Sequence, residues 1–199
     1  MKLESDFDFV EKICVLGQTN VGKTNLITRF TENKFLPDYL ATVGFDYKVK
    51  TISLNNSKKK IKLIIFDTAG QERYKSVCKY WYKRVDGIIL VYDITDRESF
   101  DSIPSWIKEI KEFNNDLPVI LFGNKIDKEE DRIVSSEEGK HFADNNNIGF
   151  YETSAFNGDN VAEAFKFFGN KLIYNLIERN DNISLSTESH KKIQKKKCC

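Results

Sequence analysis

The stretch VLGQTNVGKTNL, Val15 to Leu26, decides how the rest of the chain is read. Its apolar approach, KICVL, reads as a buried strand, Gly17 to Thr24 fits G-x-x-x-x-G-K-[ST], and Lys23 to Phe30 carries a helical pattern. Strand, glycine-flanked turn and helix together make a cradle for phosphate. Backbone N–H groups point inward around the oxygens and the helix N-terminus adds partial positive charge. Lys23 supplies a full charge to the β and γ phosphates, and Thr24 offers its hydroxyl to Mg²⁺. Gln18, Thr19, Asn20 and Val21 fill the loop between the two glycines, and Asn20 tolerates a turn conformation. The loop alone does not separate ATP from GTP.

Outward from this loop, short apolar runs alternate with helical patterns. KICVLG, KIKLIIFD, DGIILVYD, LPVILFGN and IGFYET are each bounded by charge, Gly or Pro, as buried strands of a parallel sheet are. Helices are expected over Lys23 to Phe30, Ser99 to Asn114, Ser135 to Asn146 and Val161 to Arg179. In the last, Val161, Ala164, Phe165, Phe168, Leu172, Ile173, Leu176 and Ile177 form one apolar stripe. The run from Gly44 to Asp67 reads instead as two strands about a polar turn near Asn55 to Lys58, hence a hairpin. The implied fold is α/β and doubly wound: a mostly parallel six-stranded sheet with one antiparallel strand.

The 199 residues, 40% hydrophobic and 31% charged, suffice for one core. A formal net charge of +1 hides an uneven distribution, because lysines crowd KKIQKKKCC at the C-terminus while the remainder is near neutral. Affinity of the whole protein for nucleic acid is not expected, whereas attraction of the tail to an anionic surface is. From about Asn180 apolar residues thin out, as in a disordered tail. Four cysteines, Cys14, Cys78, Cys198 and Cys199, are spaced unlike a disulfide framework and fit intracellular usage. Neither a secretory signal nor a membrane span is read.

Two further segments carry chemistry. NKID, Asn124 to Asp127, ends an apolar strand on the sheet edge where such folds bind ligands. A buried carboxylate such as Asp127 accepts from both N1–H and the 2-amino group of guanine. Adenine has neither donor and leaves it unpaired, a loss that discriminates by roughly 10⁴ or more. DTAGQE, Asp67 to Glu72, follows the strand KLIIF. There Asp67 can hold Mg²⁺ through water, Gly70 lets backbone approach the γ-phosphate, and Gln71 is placed to orient an attacking water.

The order GQTNVGKT, ATVGFDYK, FDTAGQERY, GNKID and ETSA resembles the Ras superfamily of small GTPases over nearly the whole chain. VGFDYK, KLIIFDTAGQERY, YWYKR, LVYDIT and the terminal Cys pair resemble its Rab branch, which regulates vesicle traffic. The resemblance implies a P-loop G domain over residues 1–179 and a flexible polybasic tail over 180–199. It implies that Thr42 reaches Mg²⁺ and the γ-phosphate, that Phe35 meets the guanine edge-on, and that Tyr39 covers the phosphates. Asn124 and Lys125 then brace the base and the phosphate loop, and Ser154 and Ala155 contact the guanine edge. The resemblance also makes Thr19 a branch marker and a modest tuner of hydrolysis. Segments around Thr42 and Gly70 become switches ordered by the γ-phosphate.

By the same resemblance, the partners are an exchange factor, a GTPase-activating protein, a GDP-dissociation inhibitor or escort protein, and effectors. Effectors would meet Tyr47, Phe66 and Trp81, where the family more often has Phe, Trp and Tyr in that order. Arg84 and Val85 replace a small pair. KKKCC is not a C-a-a-X box, and the resemblance implies geranylgeranylation of both Cys198 and Cys199. The protein would be a monomer on the cytosolic face of an endomembrane or the plasma membrane, cycling with the cytosol. Its tail, about 20 residues long, would reach up to about 70 Å. Intact Gln71, Gly70 and Thr42 argue against a module that holds GTP without cleaving it, and NKID with ETSA argues against a P-loop kinase or ATPase.

Overall fold

The alternation of apolar runs becomes a single sheet. A computed structural model describes residues 6–37, 45–55, 58–68 and 82–177. Strands β1 (Phe9–Leu16), β2 (Phe45–Ser53), β3 (Lys60–Thr68), β4 (Gly87–Asp93), β5 (Val119–Asn124) and β6 (Gly149–Thr153) lie in the order β2-β3-β1-β4-β5-β6. β2 runs antiparallel to β3, with Tyr47 opposite Phe66, and the other neighbouring pairs are parallel. The expected six strands and single antiparallel hairpin are both present.

Helices α1 (Lys23–Glu32), α2 (Arg97–Asp101), α3 (Ile103–Phe113), α4 (Ser136–Asn146) and α5 (residues 161–177) complete the described elements, with a 3-10 segment Ile126–Asp131 after β5. Side-chain alternation sends Ile13, Val15, Ile89 and Val91 to one face, where Leu26, Phe30, Phe165 and Phe168 pack against them. Cys14, Leu16, Leu90 and Tyr92 go to the other, against Trp106, Ile107, Ile110 and Ala143. Both faces of the central strands are therefore buried, which is why those strands are apolar throughout. No helix among the described residues is long and apolar enough to cross a membrane.

Two expectations need correction. The single helix expected over Ser99 to Asn114 is two, because Pro104 has no N–H to donate to the Phe100 carbonyl and begins a new helix in its first turn. Asp96 caps the first piece by accepting from the Glu98 and Ser99 N–H groups. The stripe on α5 is covered only as far as Ile173; Leu176 and Ile177 stand 40% and 43% exposed. Ser135 proves to be the cap of α4, accepting from Glu138 N–H at 3.1 Å, while the Glu138 carboxylate is taken by Arg97 at 2.5 and 2.9 Å.

Candidate functional site at the strand ends

Parallel pairing brings the ends of β1, β3, β4, β5 and β6 to one edge, and register aligns Asp93 with Asn124 and Asn124 with Thr153. Each of these strand ends delivers one of the sequence motifs. The loop between β1 and α1 turns at Gly17 (φ 146°) and Gly22 (φ 94°), both in the region that favours glycine. A Cβ on Gly17 would collide with the Val91 carbonyl oxygen, and one on Gly22 with the Asn124 carboxamide. Asn20 also has positive φ, 69°, which accounts for an asparagine there. Gln18 Nε2 donates to the Glu98 carbonyl at 3.2 Å, tying the loop to α2.

Lys23 is 6% exposed, and its ammonium donates to the carbonyls of Gly17 at 2.9 Å and Gln18 at 2.6 Å. The charge is thus held inside the loop. Thr24 donates its hydroxyl to Asp67 Oδ2 at 2.5 Å. The other oxygen of Asp67 is buried with no hydrogen-bond partner. Burial pushes the Asp67 carboxyl above its ordinary pKa, against the opposing effects of the Thr24 hydrogen bond and the Lys23 charge. An orphaned carboxylate oxygen beside a hydroxyl is a pair of hard oxygen donors, and Mg²⁺ fits it: such an ion usually takes one or two carboxylates and completes its shell with water and phosphate.

The side of the edge formed by NKID and ETSA is built around Asn124, which is 1% exposed. Its Nδ2 donates to the Val21 carbonyl at 2.8 Å. Its Oδ1 accepts from Ala155 N–H at 3.2 Å and from the Thr153 hydroxyl at 3.4 Å. One carboxamide therefore joins the phosphate loop, NKID and ETSA. The Ala155 N–H already has this partner, so a bond from it to a base would be shared. Ser154 donates to Asp127 Oδ1 at 2.5 Å and so orients that carboxylate. Asp127 itself is exposed on the 3-10 segment. It is not the buried carboxylate expected from the sequence.

Several contributors escaped the sequence reading. Asp93 pairs with Lys125 at 2.5 Å and holds it in a left-handed conformation, φ 75°; its place at the end of an apolar strand was the available signal. Arg29 donates to the carbonyls of Ala155 at 2.9 Å and Phe156 at 2.6 Å. Asn25 exchanges two hydrogen bonds with the Leu36 backbone, at 2.8 and 3.2 Å, and fixes the segment around Phe35. Arg132 donates to Glu129 and Glu152, which pins the 3-10 segment to β6. Most of these ties join residues distant in sequence, and no local pattern announces those.

Of the aromatics assigned to an effector surface, Tyr47 is 57% exposed, whereas Phe66 is 9% exposed and belongs to a core cluster. Their rings lie 6.3 Å apart. Val85 is buried and Arg84 exposed. Tyr39, Thr42, Gly70, Gln71, Trp81, Cys198 and Cys199 lie outside the described residues.

Comparison with known proteins agrees with this arrangement. The model of the Ras family matches residues 12–174. The human Ras-related protein Rab-3A is 44% identical over 164 residues, covering 82% of this chain and 74% of its own. The Dictyostelium discoideum Ras-related protein Rab-8B is 46% identical over 160 residues, covering 80% and 78%. The Saccharomyces cerevisiae GTP-binding protein YPT1 is 38% identical over 181 residues, covering 90% and 87%. A phosphate loop clamped by Asn124 to a guanine-type strand end, matched over most of its length by such relatives, places this chain in the Ras family as a Rab-type small GTPase that binds and hydrolyses GTP and regulates vesicle traffic.

Proposed function

We propose that this sheet edge is where the chain binds GTP and hydrolyses it in a GTP/GDP cycle. Gly17 to Thr24 holds the phosphates, with the loop amides and Lys23 neutralising the β and γ groups. Asp127 recognises the base, positioned by Ser154, and Asn124, Lys125 and Ala155 brace it; Phe35 meets its edge and Tyr39 covers the phosphates. Thr24, Thr42 and Asp67 would hold Mg²⁺, which when bound neutralises charge developing on the phosphate oxygens. The orphaned Asp67 oxygen supports that assignment. Gly70 brings backbone to the γ-phosphate, and Gln71 orients the water for in-line attack. Water adds to the γ-phosphorus as the bond to the β-γ bridging oxygen breaks, giving GDP and phosphate.

The observation that carries this reading is the three-way clamp at Asn124, which ties a phosphate loop to a base-reading loop. No arginine is offered to the transferred phosphate by the motifs, so intrinsic hydrolysis is slow and depends on an activating protein. An exchange factor reloads GTP, effectors bind the GTP form near Tyr47, Phe66 and Trp81, and a GDP-dissociation inhibitor or escort protein carries the prenylated GDP form. Residues 1–179 are the switch domain. Residues 180–199 anchor a monomer through lipidated Cys198 and Cys199, because two lipid chains hold where one is marginal and the lysines add attraction to an anionic leaflet. The working site is the cytosolic face of an endomembrane or the plasma membrane.

The test is GTP hydrolysis by the purified chain without an activator. Turnover on the order of one per second would overturn the dependence, and Gln71→Leu should slow hydrolysis markedly. ATP should fail to displace bound GDP.

A further inference from the structure

The nucleotide edge is one end of the sheet, and the other end holds a cavity of its own. Where β5 begins at Val119, a space of about 350 Å³ opens between the last turns of α3, α4 and α5. Leu117 and Ile148 give it an apolar lining, and both pack with the core cluster on that face of the sheet. Around them stand Asn115, Asn147 and Asn175, whose carboxamides find no hydrogen-bond partner among the described residues. Lys111 and Lys171 add two ammonium groups, which have no ion pair among the described residues. The apolar stripe of α5 also stays uncovered just beyond Asn175, at Leu176 and Ile177.

This mixture selects the chemistry of an occupant. A carboxamide both donates and accepts, so it matches a peptide backbone better than a phosphate, whose oxygens only accept. An apolar floor rimmed by such groups suits an extended peptide with aliphatic side chains at alternate positions. Lys111 and Lys171 favour one with acidic residues beside the aliphatic pair.

The chain itself continues into such a segment. Residues 178–189 read ERNDNISLSTES, with Ile183 and Leu185 two positions apart between Asp181 and Glu188. Eight positions separate Ile183 from Asn175, a span of at most about 28 Å, enough to double back on the cavity that Asn175 lines. A tether this short gives the segment an effective concentration on the order of millimolar, so weak contacts suffice. The next aliphatic residue, Ile193, is flanked by lysines, which Lys111 and Lys171 repel. We propose that this cavity is a docking site for the chain's own residues 181–188, with Ile183 and Leu185 seated on Leu117 and Ile148. Docking leaves the terminal lysines, Cys198 and Cys199 free, and shortens the span between the folded domain and a membrane-bound end. It lies beyond the cycle at the nucleotide edge and does not depend on it.

The experiment is methyl NMR and amide hydrogen exchange on the full, unlipidated chain loaded with GDP. Ile183→Ser with Leu185→Ser should shift the Leu117 and Ile148 methyl signals, and Ile193→Ser should not. Amides from Asn182 to Ser186 should exchange about tenfold more slowly than in a free peptide of the same sequence. Lys111→Glu with Lys171→Glu should abolish that protection, and adding Asp181→Lys with Glu188→Lys should restore it. Unprotected tail amides, or methyl signals blind to the tail substitutions, overturn the proposal. Signals that move with protein concentration would assign the cavity to a second copy of the chain, and signals that move only with phosphatidylserine vesicles would assign it to an anionic lipid. Either result overturns the proposal too.

Discussion

The Asn124 carboxamide donates to the Val21 carbonyl at 2.8 Å, across 103 positions of sequence, from a side chain that is 1% exposed. Its oxygen serves Thr153 at the end of the next strand and Ala155 just beyond it. Replacing it by leucine keeps roughly the volume but leaves the Val21 carbonyl and the Ala155 N–H buried without this partner. Each such group costs about 1–3 kcal/mol. Asn124→Leu should lower the melting temperature by several degrees and weaken GDP binding at least tenfold, read by thermal melts with and without GDP and by nucleotide dissociation.

Gly22 and Gly158 share the same φ, 94°, yet substitution should not cost the same. At Gly158 an added Cβ would meet the Arg29 side chain, nearest at Cδ, 3.4 Å away, an ordinary contact, so alanine there carries the conformational cost alone, about 1 kcal/mol. At Gly22 the Cβ would strike the Asn124 carboxamide, and relief requires moving the clamp. Gly22→Ala should therefore cost clearly more stability in denaturant titration and also speed GDP release, whereas Gly158→Ala should shift only the denaturation midpoint.

What was legible in the sequence follows from the range of the interactions involved. Buried strands show themselves because both faces must be apolar, as in GIILVYD, and the phosphate loop shows itself because its glycines and Lys23 are dictated by backbone geometry and charge. Pro104 splitting the helix was equally local and could have been read. NKID was read correctly as the exit of an apolar strand, but the exposure of Asp127 depends on the packing of the 3-10 segment. Asp93, Arg29 and Arg132 act through partners 32, 126 and 20 positions away, so only the assembled sheet edge reveals them.

Glu11 gives a pH test remote from the site. It is 5% exposed on β1, and burial first, then the nearby Asp86 charge, pushes its carboxyl up to about 7. The folded state therefore binds a proton that the unfolded chain, titrating near 4.5, has already lost. Between those values stability falls as pH rises, and above about 7 the full penalty of a buried carboxylate is present. Glu11→Gln removes the titration. It should stabilise the protein by roughly 1–3 kcal/mol at pH 8 and by little at pH 5, as judged by urea denaturation at the two pH values. An equal gain at both would show that Glu11 is not the group responsible.

Arg132 offers the sharpest link between a structural brace and base selection. Its guanidinium donates to Glu129 at 2.7 to 3.0 Å, to Glu152 at 2.6 and 3.3 Å, and to the Val134 carbonyl at 3.0 Å. Glu129 lies on the segment that carries Asp127, and Glu152 lies two residues before Ser154, which holds the Asp127 carboxylate. The fork therefore fixes both ends of the Asp127–Ser154 hydrogen bond relative to each other. A point charge cannot make these parallel bonds, so lysine is a poor substitute. Arg132→Ala and Arg132→Lys should each weaken GDP binding severalfold and weaken less the binding of IDP, the inosine analogue that lacks the 2-amino group. That narrows the preference for guanine, because only the base with the 2-amino donor depends fully on where the carboxylate points. Competition of GDP against IDP, measured beside the melting temperature, separates this from a general loss of stability: equal weakening for both bases would mean that Arg132 supports the fold and not the aim of Asp127.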